Sequence, residues 1–221
     1  WFVAPVANSL LSGSYCPGGS GEITLYAHWT PNNYIVSYDP QGGSPVAGGS
    51  YPTGGSINLA GPSSRAGYTF NGWSLTPAGS TTSSPYTPAG TGTITFYAIW
   101  TANSYPVTFN PNGGTPGSTG NFTTGGSLPL APAPSLPGYT FTGWFLAPTG
   151  GSALTSPYTP GTTAALTLYA QWAPISYKVA FNAQGGSSVD DSSYNTAGCV
   201  NLPAAPTRDG YTFNGWFAAT D

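Results

Sequence analysis

The sequence predicts a mainly β chain, at most a small α+β one, built as a tandem array of units of about 72 residues. Three observations predict it. The heptad GYTFNGW at 67–73 returns as GYTFTGW at 138–144 and as GYTFNGW at 210–216. Around these blocks apolar and polar residues alternate with a period of two, the mark of half-buried strands. Gly and Pro, at 32 and 23 of the 221 residues, interrupt nearly every candidate helix, so at most one short helical turn is expected per unit.

The repeat is read first because it decides the rest. Trp73, Trp144 and Trp216 close the heptads at spacings of 71 and 72 residues, and Trp1 lies 72 before Trp73. WFVAP at 1–5 matches WFLAP at 144–148. LYAHW (25–29), FYAIW (96–100) and LYAQW (168–172) are one strand written three times. YIVSYDPQGG (34–43), YPVTFNPNGG (105–114) and YKVAFNAQGG (177–186) are another, and SYCP (14–17) and SPYTP (84–88 and 156–160) keep the same phase. The chain therefore divides into the C-terminal half of a repeat at 1–30, complete repeats at 31–101 and 102–173, and the N-terminal half of a repeat at 174–221. The linkers TPNN, TANS and APIS have four residues each, short enough to restrict how neighbouring units are arranged.

Each unit begins on the Y-x-V strand, with Val36 and Tyr38, Val107 and Phe109, or Val179 and Phe181 on one side. That strand stops at a Gly-Gly turn. The heptad follows, where Gly72, Gly143 and Gly215 precede each Trp and permit a bend or a close backbone approach. The unit ends on the Y-A-x-W strand, with Ile94, Phe96, Ala98 and Trp100 (or Leu166, Leu168, Ala170 and Trp172; Ile23, Leu25, Ala27 and Trp29) on its apolar face. A unit this small needs large groups to build a core. The repeat core is assigned to Trp29, Phe70, Trp73, Trp100, Phe141, Trp144, Trp172, Phe213 and Trp216.

Composition narrows function. Charged residues make up 4% of the chain and the net charge is -3, so no field attracts nucleic acid or anionic lipid. The surface is rich in Ser, Thr, Asn and Gln and poor in Lys and Glu, as in exported proteins. No basic segment leads into an apolar stretch, and no run of 18 apolar residues offers a membrane span. With no Met at position 1, the chain reads as a piece of something larger.

Three blocks recurring in order, Y-x-V-x-F-x-x-x-G-G, G-Y-T-F-x-G-W and L-Y-A-x-W, resemble the Listeria–Bacteroides repeat, found as the B repeats of internalins and in many bacterial surface proteins. The resemblance covers the whole chain. It implies a β-grasp-like fold, tandem arrays, and an extracellular location, at the cell surface or secreted. It implies no catalysis. The chain departs from the family pattern in its near lack of Lys, Asp and Glu, which removes a charge-based partner such as an anionic polysaccharide. A neutral surface also has little self-repulsion to oppose lateral packing.

The residues themselves offer no catalytic, cofactor or metal site. His28, the single histidine, aligns with Ile99 and Gln171 and reads as an outward strand residue. One His, two Cys and scattered carboxylates assemble no zinc cluster within a unit. No nucleophile-elbow pattern surrounds a serine, and the Gly-Gly pairs lack the helix and Lys of a phosphate loop. Asp190-Asp191 reads as a solvated loop and Lys178 as an exposed strand residue. Asn121 opens an N-F-T glycosylation sequon.

The cysteines say more. Cys16 lies 13 residues before Trp29, as Thr87 does before Trp100 and Thr159 before Trp172. Cys199 occupies the position of Ser56 and Ser127. Two unrelated thiols are one reading. The sharper one is a disulfide inside one kind of unit, whose two halves this chain shows separately. Its partner is then either a cysteine about 215 residues on from Cys16, one super-repeat of three units away, or Cys16 of a neighbouring chain that completes the half-unit.

Two functions follow. The first is structural: a stalk, surface array or fibre that associates with adjacent repeats or with itself. The second is an adhesin-type binding module for a glycan or host surface protein. It would use Tyr26, Tyr97 and Tyr169, which lie opposite the Trp face of their strands. The plainer alternative is that these tyrosines pack on the preceding loop or on the next unit.

Overall fold

The computed structural model describes residue 11 and residues 13–218. The expectations for Trp1 and the WFVAP segment, and for Asp221, lie outside the described residues. The chain forms two compact units, 1–101 and 102–221.

In the first unit β1 (Asn33–Asp39), β2 (Gly49–Pro52), β3 (Tyr68–Ser74) and β4 (Ile94–Ala102) make a four-stranded sheet in the order β2-β1-β4-β3. β1 runs antiparallel to β2 and parallel to β4, with Val36 opposite Ile94. The second unit repeats this arrangement with β5 (Ser104–Asn110), β6 (Ser118–Thr123), β7 (Tyr139–Phe145) and β8 (Leu166–Pro174), in the order β6-β5-β8-β7. β5 and β8 form its central parallel pair. The hairpin of β9 (Ser176–Val179) and β10 (Ser192–Asn195) follows.

The last strand of a repeat thus inserts between the first strand and the heptad strand. This explains why both carry apolar residues on the same face. Val36, Trp73, Phe96 and Ala98 meet in one core, and Val107, Phe109, Trp144, Leu168 and Ala170 in the other. The alternation read from sequence is the alternation of burial along β4 and β8. The structure is all β, with no helix among the described residues. The helical turn that the small α+β alternative allowed is absent. The connection from β2 to β3 holds Gly54, Gly55, Gly61 and Pro62, and it crosses the sheet as an extended loop.

Gly143 lies at a register shift between β7 and β8, where the strand bends between Phe141 and Trp144. The turn after each first strand is also written by side chains. Asp39 Oδ1 accepts from the Gln41 amide at 2.9 Å, Asn110 Oδ1 from Asn112 at 2.9 Å and Asn182 Oδ1 from Gln184 at 2.9 Å. This local bond holds a non-glycine residue in the left-handed region, with φ of 49°, 48° and 50° at Gln41, Asn112 and Gln184.

Among the described residues, those before β1 and after β8 form no buried cluster of this kind. Trp29, assigned to the repeat core, is 84% exposed, and Phe213 is 38% exposed. Their counterparts in the second unit, Trp172 and Phe141, cover each other at a centroid distance of 5.7 Å, a contact between the closing strand and the heptad strand.

Candidate functional site

With no catalytic cluster to describe, the candidate site is the set of contacts that hold each repeat together and join one to the next. Trp73 Nε1 donates to the Ala60 carbonyl at 3.0 Å, and Trp144 Nε1 to Ala131 at 2.8 Å. In the half-repeat Trp216 Nε1 reaches Pro203 at 3.4 Å, the same 13 residues upstream. Phe141 stands edge-on to both Trp144 and Trp172, at centroid distances of 5.6 and 5.7 Å, and Phe70 bridges Trp73 and Trp100 at 5.3 Å each. Each indole buries a large apolar body while its N–H keeps a partner.

The second tryptophan of each repeat sits on the Gly-Gly turn. Trp100 Nε1 donates to the Pro40 carbonyl at 2.9 Å, and Trp172 Nε1 to the Pro111 carbonyl at 3.1 Å. A Cβ on Gly43 would stand 2.5 Å from Trp100 Cζ2, and one on Gly114 2.5 Å from Trp172 Cζ2. The second glycine is therefore a seat for the indole, a role the sequence reading missed when it took the pair as a turn signal alone. The signal was present: the Gly-Gly pair and the closing Trp recur together in both complete repeats.

Within the second unit the linker between repeats is tied on both sides. β8 ends at Pro174 and β9 begins at Ser176, leaving Ile175 between them. The Ile175 amide donates to the Gly138 carbonyl at 2.9 Å, and the Thr196 amide donates to the Ile175 carbonyl at 2.9 Å. The Thr196 hydroxyl also donates to the Gly138 carbonyl. Gly138, the first residue of the heptad, has φ of +81°, and a Cβ there would come within 2.6 Å of Thr196 Cγ2. The heptad thus supplies both a core tryptophan and the glycine on which the next repeat rests.

The remaining sequence candidates disperse. Tyr26 is exposed, while Tyr97 and Tyr169 are half-buried on the outer face of β4 and β8, in register with Asp39 and Asn110. Cys16 and Cys199 are free and exposed. Lys178 pairs with Asp191 at 2.6 Å, and this hydrogen bond holds the Asp191 carboxyl below its ordinary value. The Arg65 guanidinium lies 3.9 Å above the Tyr68 ring and donates to the Gln41 carbonyl at 3.1 Å. Arg208 repeats both contacts, over Tyr211 at 4.0 Å and to Gln184 at 2.9 Å. Among the described residues no group of three or more His, Cys, Asp or Glu could hold a metal ion, and no helix is long and apolar enough to cross a membrane.

Comparison with known proteins adds the family. The model of the Listeria–Bacteroides repeat domain matches residues 34–99, 105–171 and 177–221. The chain is 32% identical over 206 residues to a Gly-rich membrane protein of Evansella cellulosilytica, covering 90% of this chain and 23% of that protein. A membrane protein of the same organism is 31% identical over 198 residues, 88% of this chain and 29% of its own length. Internalin H of Listeria monocytogenes is 40% identical over 87 residues, 39% of this chain and 16% of the internalin. The chain thus spans less than a third of the length of these relatives. No solved structure matches it.

Proposed function

The chain belongs to the Listeria–Bacteroides repeat family, and on that premise we propose that it is a structural segment of a bacterial surface protein, a stalk, array or fibre made of serial β repeats. The observation that carries this reading is the tied linker of the second unit: Gly138, Ile175 and Thr196 hold the segment after β8 to the heptad turn of the repeat before it. A compact unit of this size is about 25–30 Å across by the scaling of globular domains, so repeats in series make a long spacer. The divisions at 31–101 and 102–173, flanked by halves at 1–30 and 174–221, are part of the proposal. So is the β-grasp-like label, supported by a strand order of two-one-four-three with a parallel central pair. The relatives' names, membrane protein and internalin, support a place at the cell surface.

A second reading, a binding module for a glycan or host protein, has one feature in its favour. A groove of about 300 Å³ beside Arg65, Gly79, Ala98 and Trp100 offers an arginine and an indole to a polar ligand. The matching place in the second unit is occupied by Asn112, which donates to the Pro148 and Ala170 carbonyls at 3.0 Å each. The groove is thus not common to the two repeats, so the structural reading is preferred.

Electron microscopy of the unfixed chain at high and low protein concentration tests the proposal. Straight particles with a constant axial repeat support it. Repeats at random angles to one another would overturn it.

A further inference from the structure

The second repeat fills with its own side chains a place that the first repeat leaves open. Asn112, in the turn after β5, donates Nδ2 to the Pro148 and Ala170 carbonyls at 3.0 Å each. Gln171, on β8, donates Nε2 to the Ala147 and Gly150 carbonyls at 3.1 and 2.7 Å. Two primary amides thus hold four carbonyls. In the first repeat the equivalent side chains are Gln41 and Ile99, and the equivalent carbonyls are those of Pro77, Ala98, Thr76 and Gly79. Gln41 shares the backbone of Asn112, with φ of 49° against 48°. Its longer side chain folds back instead, and Nε2 donates to Asp39 Oδ2 at 3.0 Å. Asp39 stands where the second repeat has Asn110, and its charge makes it the stronger acceptor. Ile99 has no donor to offer.

The result is the groove of about 300 Å³ between Gln41, Arg65, Pro77, Gly79, Ala98 and Trp100. Its walls are set by bonds within the repeat. The Gly79 amide donates to the Thr76 carbonyl at 3.2 Å, and the Thr76 amide to Ser74 Oγ at 3.2 Å. Trp100 is fixed through its bond to the Pro40 carbonyl. Arg65, which stands where the second repeat has Leu136, is held by the Gln41 carbonyl and the Tyr68 ring. A guanidinium carries five N–H groups, so donors remain for an acceptor in the groove. The donors that the second repeat uses decide what fits. A hydroxyl has one proton and cannot serve the Pro77 and Ala98 carbonyls together, whereas a primary amide has two. An ammonium would meet the like charge of Arg65. A carboxamide offers both its N–H groups to the carbonyls and its oxygen to the guanidinium.

We propose that this groove of the first repeat binds a primary carboxamide, the side chain of a glutamine or asparagine in a partner peptide. Its nitrogen takes the place that Asn112 Nδ2 holds in the second repeat and donates to the Pro77 and Ala98 carbonyls. Its oxygen accepts from Arg65. An apolar side chain entering the groove would leave the carbonyls without a donor, which gives the site its selectivity. The second repeat carries its own carboxamide in this place and takes no ligand there. The site goes beyond the structural reading, which stands whether or not the groove is filled.

The test is an NMR titration of the isotope-labelled chain with N-acetylglutamine methylamide at millimolar concentration, beside the matching serine and leucine compounds and free glutamine. Saturable shifts at the Ala78, Gly79 and Ile99 amides and at the Arg65 Nε–H are expected, with none at Thr149, Gly150 and Gln171. The serine and leucine compounds should bind about tenfold more weakly, or not at all. Gln41→Asn copies the second repeat, supplies an internal carboxamide and should abolish the shifts. Arg65→Leu copies Leu136 and should weaken binding several-fold. In both variants the Val36 and Ile57 amides should keep their positions, which reads the fold apart from the site. Equal shifts in the two repeats, equal affinity for the serine compound, tighter binding of free glutamine than of the blocked form, full binding by Gln41→Asn, or no shift at all would overturn the proposal.

Discussion

The repeat at 105–172 and the half-repeat at 177–218 share a first strand, a Gly-Gly turn and a heptad, and differ by the strand that closes the unit. In the complete repeat Val107 is fully buried and Phe145 is 8% exposed. In the half-repeat Val179 is only partly covered and Phe217 is 84% exposed. Yet several local features are the same in both: the side-chain-capped turn, the tryptophan reaching a carbonyl 13 residues upstream, and the Phe–Trp edge contact. Local contacts therefore form within 45 or so residues, and burial waits for the closing strand. That strand brings Leu168, Ala170 and Trp172 across the sheet to residues about 60 positions earlier in the chain.

Substitutions at matched positions sharpen this contrast. Trp144→Ala removes a buried indole and its hydrogen bond and should cost ~3–5 kcal/mol, read by urea unfolding of the second unit. Trp216→Ala should cost a small fraction of that, and equal losses would break the comparison. Gly114→Ala pushes a methyl group into Trp172 Cζ2 and the Ser135 carbonyl, at 2.5 and 2.7 Å. It should destabilise by ~1–3 kcal/mol. A Cβ on Gly186 would meet the Ala183 and Thr207 carbonyls at 3.2 Å each, a milder crowding, so Gly186→Ala should cost less than Gly114→Ala.

Thr196→Val deletes the hydroxyl bond to Gly138 and keeps the volume. It should loosen the junction by ~0.5–1.5 kcal/mol, seen as faster exchange of the Ile175 and Thr196 amides with both repeat cores unaffected. The smallest effect concerns pH. Asp191 titrates below the ordinary 3.8 because Lys178 holds its charged form. A carboxyl lowered on folding contributes above its unfolded value and loses that contribution as pH falls through the folded one. The β9–β10 hairpin should therefore loosen only below about pH 4, slightly, since both groups are exposed and screened. An NMR titration of the Asp191 carboxyl, with Lys178→Met as the reference, reads it directly.

Much of this was legible in the sequence because repetition turns one observation into three. The alternation of Phe96 and Ala98, or Leu168 and Ala170, assigned their faces, and the constant spacing of the heptads assigned the tandem arrangement. What sequence could not show depends on contacts between distant residues. The partner of Gly114 is Trp172, and the partner of Gly138 is Thr196, 58 positions away. Alignment placed Cys16 at the position of Thr87 and Thr159 and Cys199 at that of Ser56 and Ser127, but only the Ile57–Tyr86 and Leu128–Tyr158 bridges show that those two positions are neighbours across a strand pair. Residue type assigns Trp29 and Phe213 to a core, but Trp29 is 84% and Phe213 38% exposed, because type alone does not say which strand lies against a ring.

The measurement that tests the central claim most directly is amide hydrogen exchange on the intact chain, dilute and reduced, compared at Val107 and Val179. Strong protection at Val107 with near-unfolded exchange at Val179 is the result expected if the closing strand makes the unit. Equal protection at the two sites would contradict it, because the first strand and heptad would then be stable without the strand that buries them.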